Sequence, residues 1–213
     1  MSQTKVIAFD LFGVIFTEGH LISKVLMQLL PARCQKIQVK TLYEAFGVGT
    51  IREDEFWDGL GIKDFDKIRC DFLDSFRLDD DYDAVINALL PQYRLSILSN
   101  LPPDWASALT DKFNFNKTFK PCCFSGFAGY RKPRSEIYQL FLSQSEVDAK
   151  QVVFIDDRLE NLLTAEQLGM TTVYYRKETE KHDFEPDYTI YRLSELVPLL
   201  ATGHVQKNHT INK

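Results

Sequence analysis

Four places in this sequence put a reactive side chain at the end of an apolar run. Asp10 follows Val6–Phe9, Ser99 and Asn100 follow residues 95–98, and Asp156 and Asp157 follow residues 152–155. Lys132, in the Lys-Pro pair at 132–133, stands in the loop after a weaker run at 118–124. Three carboxylates drawn together repel one another unless a cation joins them, and all-oxygen ligation favours Mg²⁺. Mg²⁺ held by few carboxylates normally shares a phosphate with its substrate. Ser99, Asn100, Lys132 and the amides of helix N-termini are the donors a phosphate needs. Asp10 is then a ligand only, or also a nucleophile that carries a phosphoryl group. Alone, each residue has an ordinary reading: an Asp capping a helix, a Ser-Asn turn, an Asp-Asp pair complementing a helix dipole. Their joint arrival at successive strand ends is what favours a site.

The elements that must position these groups follow from the apolar pattern. Short continuous apolar runs at Val6–Phe9, 95–98, 152–155 and Thr171–Tyr175 alternate with helical spacing. This predicts an α/β fold, a parallel Rossmann-like sheet with helices on both faces, whose ligands bind beyond the carboxyl ends of the strands. Leu159, Leu162, Leu163 and Leu168, closed by Gly169, mark one helix, and Ile137, Leu140 and Phe141 another. Lys132, preceding Pro133, is held out of that second helix. Residues 186–200 fit a last strand and helix.

Between the first two strands the periodicity is helical throughout. Leu21, Val25, Leu26, Leu29 and Leu30 form one stripe, Phe56, Trp57 and Leu60 a second, and Ile68, Phe72, Leu73 and Phe76 a third. The expected division is a core of residues 1–16 and 85–200, a helical cap of 17–84 inserted after the first strand, and a flexible tail of 201–213. Phe46, Phe56, Trp57, Phe65, Phe72 and Phe76 are expected to be mostly cap core.

The chain has 213 residues, 45% of them hydrophobic, and a formal net charge of −5. No basic block points to nucleic acid or an anionic membrane, and no run approaches the ~18–20 apolar residues of a membrane span. The sequence MSQTKVIAFD enters a strand without a secretory pattern, and the four cysteines form no CxxC pair, so a cytoplasmic setting with buried thiols is expected. Cys122 and Cys123 are expected in the core. Asp79, Asp80 and Asp81 are expected to serve a turn and helix N-terminus instead of a metal. His182, His204 and His209 fall in loop or tail and form no ligand cluster.

Four segments resemble the motifs of the haloacid dehalogenase (HAD) superfamily, in order and spacing: FDLFGVI, ILSN, GYRKPRSEIY and VVFIDDRLENLLTAEQLGM. FSGFAGYRKP, with Ser125, Gly126 and Gly129, is similar to the usual lead-in to the lysine. IREDEFWDGLG and Tyr138, six residues beyond Lys132, look closest to small bacterial sugar phosphatases and to the N-terminal phosphatase domain of soluble epoxide hydrolases. The resemblance implies that Asp10 is the nucleophile, that Ser99 and Asn100 bind the transferring phosphoryl group, and that Lys132 neutralises both. It implies Mg²⁺ on Asp10, Asp157 and the main-chain carbonyl of Phe12, with Asp156 close by, and a small phosphorylated metabolite as substrate.

Phe12 departs from the family pattern, which places a general acid–base Asp there in most phosphatases. General acid–base help contributes roughly 10²–10⁴-fold. One reading keeps a Mg²⁺-dependent phosphatase whose leaving group is good, as in a sugar 1-phosphate, or is protonated from the cap, with Glu18 and His20 as candidates. A second is a metal-independent 2-haloacid dehalogenase, since those enzymes carry an aromatic residue here; the Asp156-Asp157 pair and the lack of an evident halide-binding Arg weigh against it. A third is a non-catalytic protein that binds a phosphorylated ligand. The sequence leaves the oligomeric state open.

Overall fold

The structure, a computed structural model, describes residues 4–176 and 183–201. Its six strands are β1 (Val6–Phe9), β2 (Arg94–Ser99), β3 (Cys122–Phe124), β4 (Val152–Asp156), β5 (Thr171–Tyr175) and β6 (Tyr188–Ile190). All neighbours pair in parallel, in the order β3-β2-β1-β4-β5-β6. The weak run at 118–124 is strand only from Cys122. Phe115–Thr118 winds into a helical turn, and Pro121 has no N–H to give a ladder. Its carbonyl accepts from the Ile97 amide at 3.0 Å, at the entrance to β3.

Continuous apolar strands are what burial on both faces requires. Ile7 and Phe9 of β1 point to one face with Ile97, Val153 and Ile155, while Val6 and Ala8 point to the other with Leu98, Val152 and Phe154. Helices Tyr82–Leu89, Pro103–Phe113 and Leu196–Ala201 cover the first face, and Ser135–Ser145 and Leu159–Gln167 the second. The doubly covered α/β sheet expected from the sequence is therefore present.

The segment between β1 and β2 is helical, as its periodicity predicts. A wide π-type helix, Leu21–Leu26, runs into Met27–Leu29, followed by helices Lys36–Gly47, Glu53–Gly59 and Asp66–Asp74. Helix Tyr82–Leu89 then crosses residues 84–85, buries Tyr82, Val85, Ile86 and Leu89, and leads into β2. Phe46, Phe56, Trp57 and Phe72 are fully buried around Trp105 of helix Pro103–Phe113, with Phe72 4.4 Å from its ring. One aromatic core thus joins the inserted helices to the sheet. No helix among the described residues is long and apolar enough to cross a membrane.

Asp79 and Asp81 serve anchoring contacts. Asp79 accepts from the Tyr175 hydroxyl at 2.9 Å, and Asp81 accepts from the amide and hydroxyl of Ser194 at 3.2 and 2.7 Å. All four cysteines are free thiols; Cys34 and Cys123 are buried and Cys122 half-buried, but Cys70 is exposed, against the expected burial. Burial pushes Cys122 up to about 11 and Cys123 to about 12, consistent with packing residues and not nucleophiles. His182, His204, His209 and residues 202–213 lie outside the described residues.

Glu53 connects the inserted helices to the α/β core electrostatically. Its carboxylate accepts from the Trp57 and Trp105 indoles at 3.2 and 2.7 Å and pairs with Arg69 at 2.9 Å. The carboxylate is 11% exposed, so its loss strands three donors in or near the core. Glu53→Ala is expected to reduce unfolding free energy by about 2–3 kcal/mol, read from urea denaturation.

Candidate active site

The strand register brings distant residues to one edge. Phe9 on β1 is level with Ile97 on β2 and Ile155 on β4, so Asp10 and Asp156 emerge as neighbours one residue later. The Asp10 amide donates to the Ile155 carbonyl at 2.9 Å. β1 is also where the strand order reverses, with β2 and β3 on one side and β4 to β6 on the other. That is where a crevice opens in such sheets.

Lys132 fills the space between the two acids. Its Nζ lies 3.0 Å from Asp10 Oδ1 and 2.7 Å from Asp156 Oδ2, with the side chain 1% exposed. Burial opposes the ammonium charge, but Asp10 and Asp156 outweigh it and hold the group above the ordinary lysine range. The Leu11 amide also donates to Asp10 Oδ1 at 2.8 Å, which leaves Oδ2 without a hydrogen bond from the described residues.

Asp156 is held from three sides: by Lys132, by the Arg158 amide at 2.8 Å, and by Asn161 Nδ2 at 3.0 Å to each oxygen. Burial nonetheless pushes its carboxyl up to about 6. Asp157 accepts no hydrogen bond from the described residues. Burial first, then repulsion from Asp156 and Asp10, pushes it up to about 8. The turn after β1 is shaped around this carboxylate. At Gly13, with φ +79°, a Cβ would lie 2.2 Å from Asp157 Oδ2.

The expected phosphate donors also reach this edge, with differing states. The Ser99 hydroxyl is fully buried and has no partner among the described residues. The Asn100 side chain is engaged: Nδ2 donates to the Lys132 carbonyl at 2.9 Å, and Oδ1 accepts from the Lys132 amide at 2.8 Å. Asp10, Ser99, Asn100, Lys132 and Asp157 border one cavity of about 200 Å³. Phe12 is in its wall, with its ring against Phe76 at 5.1 Å and Phe16 at 5.7 Å. Of the two proton-carrying candidates, His20 lines the cavity, whereas Glu18 accepts from the Arg77 amide at 3.1 Å outside its lining.

Several contributors escaped the sequence reading. Asn161 orients Asp156, and its main-chain carbonyl accepts from the buried Tyr138 hydroxyl at 2.9 Å. An amide interrupting the apolar face of LENLL was the available signal. Tyr43, Lys36 and Lys40 line the cavity from helix Lys36–Gly47, a role no local pattern reveals. Ser125, already marked by the lead-in to the lysine, has a hydroxyl that accepts from the Leu101 amide at 2.9 Å and donates to the Gly47 carbonyl, fastening that helix beside the strand ends.

The donor set suits a hard divalent cation. Carboxylate oxygens of Asp10, Asp156 and Asp157 lie within 4.8 Å of one another, the one such acidic group among the described residues. Two of the three retain unpartnered oxygens, which is what a cation would use.

Residues 4–169 match the family model described as haloacid dehalogenase-like hydrolase. Among curated proteins, a sesquiterpene phosphatase of Aspergillus oryzae is 26% identical over 179 residues, covering 80% of this chain and 89% of that protein. Among solved structures, a magnesium-bound HAD-hydrolase of Bacillus subtilis superposes with a TM-score of 0.70 at 21% identity, covering 93% and 99% of the two chains. L-2-haloacid dehalogenase of Xanthobacter autotrophicus superposes at 0.71 with 16% identity, covering 95% and 100%. The structural likenesses establish a shared fold.

The raised Asp157 carboxyl has a consequence for stability. In the unfolded chain it ionises near ~4, whereas the metal-free fold keeps its proton up to about 8. Unfolding therefore releases a proton within that window, and this group makes the metal-free protein less stable as pH rises through it. Asp157→Asn is expected to raise the melting temperature of metal-free protein at neutral pH and to abolish any rise that Mg²⁺ gives the wild type, both read by thermal melts.

Proposed function

We propose that this chain, which belongs to the haloacid dehalogenase-like hydrolase family, is a Mg²⁺-dependent phosphatase that cleaves a small phosphomonoester through an aspartyl-phosphate on Asp10. The observation that carries this reading is the set of unmet demands around Lys132: a buried Ser99 hydroxyl without a partner, an unpartnered Asp157 carboxylate and a free Asp10 Oδ2. A phosphoryl group together with a cation meets all three.

In this reading Asp10 Oδ2 attacks phosphorus in line, while Oδ1 stays anchored by Lys132 and the Leu11 amide. The Lys132 ammonium and Ser99 hydroxyl hold the phosphoryl oxygens. A Mg²⁺ bound by Asp10, Asp157 and the Phe12 main-chain carbonyl, with Asp156 behind them, would neutralise charge on those oxygens. Asn100 acts through its grip on the Lys132 backbone, and Asn161 through Asp156. Water then opens the acyl phosphate. Phe12 has no proton to give, so the leaving oxygen is either weakly basic or protonated from His20, which borders the cavity. The inserted helices, residues 17–84 in the expected division, act as the cap, since helix Lys36–Gly47 contributes to the cavity wall.

The phosphatase named among the relatives supports phosphoester chemistry. The dehalogenase likeness rests on fold alone, and the clustered acids weigh against metal-free attack on carbon.

The decisive assay is phosphate release from p-nitrophenyl phosphate, whose nitrophenolate leaves readily without an acid. Turnover with Mg²⁺, its absence without metal, and its loss in Asp10→Asn with an unchanged melting curve are expected. Lys132→Ala is expected to lower kcat by about 10²–10³-fold. Turnover of 2-haloacids without metal, or none of either substrate, would refute the reading. Phe12→Asp is expected to improve kcat for alkyl phosphates relative to p-nitrophenyl phosphate, though with lowered stability because it removes the Phe16 and Phe76 contacts.

A further inference from the structure

The cavity is lined by a buried donor that the proposed chemistry leaves unused. Tyr43 is 5% exposed, borders the cavity together with Asp10, Ser99 and Lys132, and its hydroxyl has no hydrogen-bond partner among the described residues. Buried polar groups are rarely left so, because desolvation costs free energy that a hydrogen bond would offset. The ring itself is seated, with Trp105 at 5.9 Å. The apolar part of the side chain is thus held while its polar end stays unmet.

Helix Lys36–Gly47 is fastened to the core at two points close to Tyr43. Glu44, the next residue, lies 4.0 Å from Arg131 in the loop that carries Lys132. Gly47, one turn on, accepts from the Ser125 hydroxyl, which also holds the Leu101 amide just beyond Ser99 and Asn100. In the phosphatase reading Lys132, Ser99 and a cation serve the phosphoryl oxygens, and no group at the strand ends serves the leaving oxygen. In-line attack puts that oxygen on the far side of phosphorus from Asp10, and Phe12 has nothing to offer it. Of the polar side chains that the inserted segment lends to the cavity, His20, Ser23, Lys36 and Lys40 are exposed and Tyr43 is buried, where a fixed donor acts most strongly. Burial pushes the Tyr43 hydroxyl well above the ordinary tyrosine range, with Arg131 opposing and Asp10 adding to the rise, so it remains a neutral donor at every working pH.

We propose that Tyr43 is a further catalytic residue, whose hydroxyl donates a hydrogen bond to the leaving oxygen of the phosphoester. This rests on the phosphatase reading for the reaction itself. As the bond from Asp10 Oδ2 to phosphorus forms, the bond from phosphorus to the leaving oxygen breaks, and its electron pair gathers on that oxygen. The Tyr43 hydroxyl stabilises this charge and keeps its own proton, so the contact serves a weakly basic leaving group and one protonated from His20 alike.

The test compares Tyr43→Phe with wild type, in excess Mg²⁺, on substituted phenyl phosphates from the 4-nitrophenyl to the 4-methoxyphenyl ester. The readout is kcat/KM, which reports the step in which the leaving oxygen departs and not the later hydrolysis of the aspartyl-phosphate. Phenylalanine keeps the ring against Trp105 and breaks no hydrogen bond among the described residues, so no loss of melting temperature is expected. The variant is expected to lose about tenfold more on the 4-methoxyphenyl ester than on the 4-nitrophenyl ester, the scale of one hydrogen bond to a partly charged oxygen. The more basic phenolate needs the donor more, whereas a merely structural role for Tyr43 would lower both rates alike. A loss of equal size on every ester, or none, would overturn the role of Tyr43, while Asp10-dependent turnover by wild type left the phosphatase reading standing. Absence of that turnover in wild type would overturn both.

Discussion

A buried ammonium between two buried carboxylates is the interaction on which the site depends, because like charges at this spacing cannot otherwise share a low-dielectric edge. Lys132 touches both Asp10 and Asp156, and without it three acids would stand together with no countercharge inside the protein. One cation for three carboxylates still leaves the group short. Burial, and after it that shortage, account for the proton Asp157 keeps well above the usual carboxylate range. The fold stabilises a cluster that is incomplete by itself, and its incompleteness is the chemical property that a metal and a phosphoryl group would use.

The scaffold earns this by rigidity at the strand ends. Asp10 and Asp156 leave a sheet whose strands are buried on both faces, so their main chains have little freedom. Behind Asp156 runs a connected series: the Tyr138 hydroxyl donates to the Asn161 carbonyl, and the Asn161 amide holds both Asp156 oxygens. The first contact fixes the main chain at Asn161 and the second holds the carboxylate, which is how supporting groups keep a reactive one in place. The inserted helices are part of the same solid. Glu53 and Phe72 of the insertion contact Trp105 of helix Pro103–Phe113, and Ser125 adds a polar tie at Gly47.

The sheet and its reactive edge were legible because they rest on short-range signals. Apolar runs marked β1, β2, β4 and β5 to within a residue, and Asp10, Ser99, Lys132, Asp156 and Asp157 stood at their ends or loops. β3 was overextended because apolar content alone cannot register that Pro121 lacks a donor and that the preceding residues coil. Asn100 was read as a phosphate donor from its type, yet its side chain binds the backbone of a residue 32 positions away. Tyr43, Lys36 and Lys40 were illegible for the same reason: their place at the cavity depends on how a helix docks, and docking is set by tertiary packing. Phe12 lies between these cases. Its identity announced a missing proton carrier, while its packing against Phe16 and Phe76 explains why a carboxylate there would sit badly.

The pair of amide-type hydrogen bonds between Asn100 and the Lys132 backbone bears on the entropy of the reacting state. A lysine side chain loses about 2 kcal/mol of rotamer freedom when it is fixed. Here the main chain beneath it is clamped by the strand end, and its ammonium is gripped by two acids, so that loss is incurred once, at folding. A ligand arriving at the cavity meets a cation already immobilised and need spend none of its own binding free energy on ordering it.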